Sequence, residues 1–557
     1  MERSTLRRPR RLLFLAALLS LVLGLSACIG VSSDSGSIPG QGPDRSSGAN
    51  TGGSGETLRI VAGSEQRAVL DRVVLPWCEA NNYRCSYDLL GSVDQARLLQ
   101  SGSKDYDAYW FASSVFAQMG NDRSQLNHIR PMFLTPTVFA GWKPTMERWG
   151  LVGRTDVTVA DVIRIAEDPD NAVWATNPTQ SNSGATTFFA FLNHFAGNGP
   201  GRPLTPAQLD SPQVEQGITT FTRAMERTPP STGTMMTECL ANAEACDAMF
   251  TYEDLVIEHN QELVAQGRDP LYVVYPTGAL AISDAPLGFL PGGEPGREGA
   301  FLALQDYLLN DQDARQQLLG LGRRPADSVG LAMNSPDLAV FNPDWGVRTD
   351  IRERGVTFPA GPVITEALNR YNTRYRRPVD IYYCLDGSGS MRGNGWDGVK
   401  RAGQEIFDPE RAQVNLLQSG PGDVTTVQIF HDGTAAGPWR VTGSEPGEFT
   451  KLVDQINGYA PDGGTNLYAC LTTAVGAQAN AGDRKRLIVA MTDGRSQNEG
   501  AAPDTIARVR AAGTPVIAIA FGDADPTQLA PLAEQTGGSL VESDDLVSAL
   551  RLAAGYR

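Results

Sequence analysis

Pro378-Val379-Asp380-Ile381-Tyr382-Tyr383-Cys384-Leu385 runs directly into Asp386-Gly387-Ser388-Gly389-Ser390-Met391, and this stretch decides how the C-terminal part of the chain folds. The apolar and aromatic run predicts a buried strand. At its C-terminal end it delivers one acid and two hydroxyls, with glycines between them that let the loop turn tightly. Further along, Val424 to Phe430 predicts a strand and Phe449 to Ile456 a helix, and Gly463-Gly464-Thr465-Asn466 forms a loop opening another helix. Leu487 to Met491 is a strand ending in Thr492-Asp493-Gly494, and Pro515 to Ala520 is the next, followed by Phe521-Gly522. This alternation predicts an α/β, doubly wound parallel sheet over residues 375–557.

Asp-x-Ser-x-Ser, then Thr in Gly-Gly-Thr, then Asp in Thr-Asp-Gly resembles the von Willebrand factor A family. Thr536-Gly537-Gly538-Ser539 before the last helix fits the same pattern. The resemblance implies a Rossmann-like domain with a metal-ion-dependent adhesion site formed by Asp386, Ser388, Ser390, Thr465 and Asp493. The chemistry of these side chains agrees independently. Mg²⁺ takes about six hard oxygens in a near-octahedral shell and keeps waters readily. Hydroxyls with one or two carboxylates supply such a shell, with Mn²⁺ or Ca²⁺ as alternatives to Mg²⁺. Their low charge would leave the cation ready to accept an acidic side chain from a protein partner. Met391 and Tyr468, at the rim, read as packing residues.

The other end of the chain reads as a targeting segment. Arg3, Arg7, Arg8, Arg10 and Arg11 precede an apolar run from Leu12 to Leu25, which is too short to span a bilayer comfortably and suits a signal peptide. Leu25-Ser26-Ala27-Cys28 resembles the bacterial lipobox, which implies lipidation of Cys28, removal of residues before it, and anchoring at the outer face of the cell membrane. Acyl chains contribute roughly 0.8 kcal/mol per buried methylene, so two or three (palmitate-like) hold durably. No later run reads as a transmembrane helix, so the anchor is expected at the front end only. Residues 29–56 are rich in Gly and Ser without apolar periodicity and predict a flexible tether spanning about 30 Å. Six further cysteines, Cys78, Cys85, Cys239, Cys246, Cys384 and Cys470, suit an exported chain with disulfides. Cys78…Cys85 and Cys239…Cys246 share one spacing and would each close a short loop worth roughly 2.5 kcal/mol. Cys384 and Cys470 are either bonded to each other or two buried thiols.

Residues 57–345 predict two α/β lobes. Leu58–Ala62, Tyr87–Leu90 and Tyr106–Phe111 are strands separated by helical spacing over Ala68–Ala80 and Val93–Gln100. A second block alternates in the same way: Val157–Glu167 helical, Ala172–Thr176 extended, Thr186–Ala196 helical, Ala248–Tyr252 extended, Leu255–Gln266 helical, Leu271–Tyr275 extended, with closing helices over Glu298–Gly320. With the export signal, these lobes resemble a bacterial extracellular solute-binding protein, which implies a two-lobed, periplasmic-binding-protein-like clamshell. Gly63-Ser64-Glu65, Tyr106 to Ser113-Ser114, and Asn177 to Ser183-Gly184 carry that resemblance, because they are loops at strand ends where such clefts bind ligands. Ser64, Ser113, Ser183 and Tyr252 are the candidate ligand-binding residues. Each serine also suits plain helix capping. The ligand stays open between a small anion, a sugar, a peptide end and an empty cleft.

Between the two regions, residues 346–374 form a connector, with a short Arg-rich helix over Ile364–Arg374 that docks one domain on the other. Arg374, Arg376 and Arg377 read as a solvated face. At 557 residues with a formal net charge of −16, the chain argues against nucleic acid and anionic membrane surfaces as partners. Its four His are scattered, and no Ser-His-Asp, Cys-His or phosphate-loop arrangement stands out, so an enzyme is not expected. The expectation is a lipid-anchored receptor that binds a partner protein through the metal and a ligand through the clamshell. The alternative is a solute receptor of an ABC-type importer, with the C-terminal domain as a docking accessory.

Overall fold

Val379–Asp386 is buried along its whole length, as its apolar run requires, and lies at the middle of a six-stranded sheet. It pairs in parallel with Val424–Phe430 on one side and Lys485–Thr492 on the other. Val516–Ala520 and then Ser539–Glu542 extend the parallel sheet outward. Thr434–Thr442 closes the opposite edge antiparallel. The chain therefore winds first to one side of the central strand and then to the other, and the reversal falls between Val379–Asp386 and Lys485–Thr492. Alternation along the central strand fills two cores. Ile381, Tyr383 and Leu385 pack with helices Asn394–Phe407, Pro446–Asn457 and Leu546–Ala554. Tyr382 and Cys384 pack with Leu467–Ala477, Ala502–Ala511 and Pro526–Thr536. Met391 and Tyr468 are buried in these cores, as packing residues are.

This computed structural model describes residues 47–556 apart from 51–54, 122, 294–295, 329 and 544–545. The leader and Cys28 lie outside the described residues, as does most of the expected tether. Part of that tether is ordered: Ser47–Ala49 is an edge strand antiparallel to Arg84–Leu89.

The N-terminal region is the expected clamshell. In the first lobe, Thr57–Ala62 pairs in parallel with Arg84–Leu89 and with Ala108–Trp110. Pro286–Phe289 returns antiparallel beside Ala108–Trp110, and Asn127–Pro131 forms the edge. In the second lobe, Phe133–Trp142 runs antiparallel to Ala248–Tyr252 and Leu271–Val274, and Val173–Ala175 lies parallel to Ala248–Tyr252. The chain thus passes between lobes at Met132 and again between Ser283 and Pro286. Helix Asn182–Phe195 begins four residues before its apolar periodicity, and helix Val159–Glu167 is closed by a Thr158/Asp161 capping box.

The connector helix, Gly361–Arg370, buries Ile364, Ala367 and Leu368 in the clamshell core. The following turn docks too, with Tyr371 edge-on to Phe188 and Thr222 Oγ1 donating to the Tyr375 carbonyl at 2.7 Å. The expected solvated face is corrected at Arg376. Its guanidinium is buried and grips Asp423, with Nη1 3.0 Å from Oδ1. Arg374 alone is exposed there, because the last turn rotates Arg376 inward beneath the start of the central strand.

All three cysteine pairs are disulfides: Cys78–Cys85, Cys239–Cys246 and Cys384–Cys470. The third ties helix Leu467–Ala477 to the central strand.

Candidate functional site

Three loops meet at the C-terminal ends of the strands flanking the reversal point, where open α/β sheets leave a crevice. Asp386 ends the central strand and is buried. Its Oδ1 accepts from the Ser388 backbone N–H at 2.8 Å, and its Oδ2 accepts from Thr492 Oγ1 at 2.6 Å. The Ser388 and Ser390 hydroxyls are 3.0 Å apart, and Ser390 Oγ donates to Asp493 Oδ1 at 2.8 Å. The Thr465 hydroxyl borders the same spot. A Cβ built on Gly494 would lie 3.9 Å from Thr465 Oγ1 and 4.0 Å from Ser390 Oγ. The structure therefore brings together all five residues singled out from the sequence.

Backbone bonds lace these loops to one another, leaving side chains to line the crevice. Gly389 N–H donates to the Gly463 carbonyl and Asp462 N–H to the Gly387 carbonyl, both at 3.0 Å. Gln497 N–H donates to the Thr465 carbonyl at 2.8 Å. Two participants went unnoticed in the sequence. Thr492 orients Asp386, and the Asp432 carboxylate accepts from Gly464 N–H at 3.1 Å. Thr492 was within the quoted Thr-Asp-Gly, whereas Asp432 carries no motif.

Burial pushes the Asp386 carboxyl above the usual carboxylate range, against the Thr492 and Ser388 hydrogen bonds that favour its ion, and Asp493 pushes it further. Asp493 is raised as well, by burial first and by Asp523. Two carboxylates disfavoured as bare ions, set among three hydroxyls, make a hard-oxygen donor set that a small divalent cation would stabilise. Among the described residues no cluster of three or more His, Cys, Asp or Glu side chains is placed to hold a metal ion, here or elsewhere.

The clamshell candidates gather at the junction of its lobes. Ser113 caps helix Ser114–Gly120 of the first lobe and donates to Asn182 Oδ1 of the second at 3.0 Å. Asn182 in turn donates to the Tyr252 hydroxyl at 2.9 Å. Ser183 Oγ lies 2.8 Å from Thr176 Oγ1 and 2.7 Å from Thr232 Oγ1. Ser64 Oγ accepts from Gly233 N–H across the cleft at 3.2 Å. Ser113, Ser183 and Tyr252 are buried with their polar groups bonded to protein atoms; Ser113 and Ser64 bond across to the second lobe, whereas Ser183 and Tyr252 bond within it. Gly184 packs within the second lobe, where a Cβ would strike the Thr176 carbonyl. Burial lifts the Tyr252 phenol well above its ordinary value, with Glu65 adding to the effect. Glu65 itself is pushed up to about 7 by burial, with Asp254 contributing.

Sequence inspection missed the adjacent pair Arg323 and Arg324, both fully buried. Arg324 grips Glu253 with Nε and Nη2, at 2.7 and 2.8 Å, and Arg323 Nε stands 3.2 Å from Asp254 Oδ2. These acids follow strand Ala248–Tyr252, so both arginines are engaged by buried carboxylates of the second lobe. A cavity of about 560 Å³ lies between the clamshell and the C-terminal domain, bordered by Leu90, Asp94, Arg97, Gln180, Asn415 and Arg551, and none of the four candidate ligand residues lines it.

Residues 380–551 match the family model of the von Willebrand factor type A domain. Among solved structures, a von Willebrand factor type A protein from Catenulispora acidiphila is similar at 17% identity and a TM-score of 0.29, over 33% of this chain and 43% of that one. This chain therefore spans less than half the length of that protein. The periplasmic binding protein AfuA from Actinobacillus pleuropneumoniae is similar at 12% identity and a TM-score of 0.40, over 58% of this chain and 99% of that one. A substrate-binding protein of an ABC transporter from Agrobacterium tumefaciens is similar at 11% identity and a TM-score of 0.40, over 58% of this chain and 94% of that one. The search against curated protein sequences returned no match. The C-terminal part of the chain is a von Willebrand factor type A domain, and it follows a two-lobed α/β clamshell.

Proposed function

We propose that this chain is an extracytoplasmic binding protein, lipid-anchored through Cys28, that captures an acidic side chain of a protein partner at a divalent cation while its clamshell binds or senses a ligand. The unbroken chain of oxygens from Ser388 through Ser390 to Asp493, beside buried Asp386 and Thr465, carries this proposal. Asp386, Ser388, Ser390, Thr465 and Asp493 would hold Mg²⁺, and the bound ion would supply an electrophilic position for a carboxylate. The protein's own contribution is orientation. Thr492 and the Ser388 N–H fix both oxygens of Asp386, and the Gly463 carbonyl pins the loop that carries the two serines. Residues 57–345 would act as the clamshell, 346–374 as connector and 375–557 as the adhesion domain.

The test is retention of cell-envelope proteins on the immobilised chain in Mg²⁺. Retained partners should elute with chelator, rebind when Mg²⁺ or Mn²⁺ is restored, and be absent from an Asp386→Ala column. Partners held equally by that variant and in chelator would overturn the proposed adhesion function.

A further inference from the structure

One of the loops at which the clamshell is expected to hold a ligand, Asn177 to Gly184, is met here by another part of the same chain. Helix Leu546–Ala554 and the two residues after it come from the C-terminal domain, yet they bond to both lobes. Toward the first lobe, Arg551 Nη2 lies 2.7 Å from Asp94 Oδ1, at the start of the helix that follows strand Arg84–Leu89. Arg97, one turn on, shares Asp94 at 3.0 Å and donates to the Asn415 carbonyl of the C-terminal domain. Toward the second lobe, Asn177 Nδ2 donates to the Gly555 carbonyl at 2.7 Å, and Gln180 Nε2 to the Arg551 carbonyl at 3.4 Å. The Tyr556 hydroxyl donates to Glu238 at 3.0 Å, and Ser539 reaches the same carboxylate. Gly555 is pressed so closely on the Gln180 amide that a Cβ would collide with it.

Asn177 and Gln180 belong to the loop that opens helix Asn182–Phe195, where the cross-lobe bond from Ser113 also ends. The segment therefore lies directly over the seam. Two of its backbone carbonyls are received by side-chain amides, as a bound peptide's would be, and one carboxylate on each lobe holds it, Asp94 at its middle and Glu238 at its end.

We propose that Leu546–Tyr556 is a strap, an internal peptide ligand that holds the two lobes closed, so that the clamshell opens only when the C-terminal domain lets go. This rests on the clamshell being able to open, not on the identity of any ligand or on the metal site.

Hydrogen exchange on the full-length protein tests it with two variants. Arg551→Glu/Tyr556→Phe alters the strap, and Asp94→Ala/Glu238→Ala alters its receptors on the lobes. Each should speed exchange about tenfold at amides 111–116, 181–186 and 231–234, in line with losing a few bonds of ordinary net strength. Strands Val379–Asp386 and Lys485–Thr492 should keep their wild-type rates. If the strap variant also loosens those strands it has disturbed the domain, and the lobe variant, which leaves that domain unaltered, decides. Wild-type exchange along the seam in the lobe variant would overturn the strap.

Discussion

Arg376 and Asp423 illustrate how much one buried pair can carry. Asp423 accepts from Arg376, from Gly420 N–H at 2.7 Å and from Val379 N–H at 2.9 Å. Burial alone would raise its carboxyl, but the guanidinium and these donors hold it below the usual carboxylate range. A depressed folded-state value gives stability that is present above the ordinary carboxylate pKa and lost as pH falls through the folded one. Arg376→Ala leaves that carboxylate buried without its partner and should cost about 3–5 kcal/mol in urea unfolding; a loss under 1 kcal/mol would contradict this. Glu65 has the opposite sign. With its carboxyl pushed up to about 7 from 4.5, the unfolded chain releases the proton first. Stability should therefore fall as pH rises from 4.5 to about 7 and then level off, and Glu65→Gln should flatten that slope. The Arg376 pair was not legible in the sequence, because a basic run looks solvated until the fold places an acid opposite it. The metal-site candidates were legible for the converse reason: three strand ends each carry a short motif, and the doubly wound sheet must bring those ends together.

At the scale of elements, unbroken apolar strands announced themselves, and edge strands or strands interrupted by Pro and Gly did not. Val379–Asp386 and Val516–Ala520 are nearly continuous apolar runs and lie where the pattern predicts. Thr434–Thr442 contains Gly437 and Pro438, buries only Val441, and gives no alternation to read. Phe133–Trp142, the long strand that begins the second lobe, was missed because Pro136 and Gly141 interrupt it. Ser47–Ala49 hid inside a Gly/Ser-rich segment, since an edge strand is held by backbone pairing and needs no apolar side chains. The disulfides act at this scale also. Cys384–Cys470 closes the longest of the three loops, with a sequence separation of 86. Cys384→Ser/Cys470→Ser should lower the unfolding free energy by about 4–5 kcal/mol in the loop-entropy model. Denaturation of the variant beside the oxidised wild type checks it, and an unchanged midpoint would contradict it.

Across the whole molecule, the clamshell and the C-terminal domain share packing as well as sequence. The connector helix shares a core with the clamshell, and Asn372 Nδ2 donates to the Leu416 carbonyl of the adjoining domain at 2.8 Å. None of the described helices is long and apolar enough to cross a membrane. If Cys28 carries the anchor, Cys28→Ala should move the protein from the detergent phase to the aqueous phase on phase partition, and a variant that stays in detergent would contradict the lipobox reading. In the proposed function, five oxygen-bearing side chains at the reversal point of the sheet bind one divalent cation. Titrating Mn²⁺ into the purified full-length protein and following the free ion by electron paramagnetic resonance tests it most directly. One Mn²⁺ should bind per chain, be displaced by excess Mg²⁺ and be lost in Asp386→Ala while the circular dichroism of the fold is unchanged. Stoichiometric Mn²⁺ binding that survives both Asp386→Ala and Asp493→Ala, or no binding by the wild type, would contradict it.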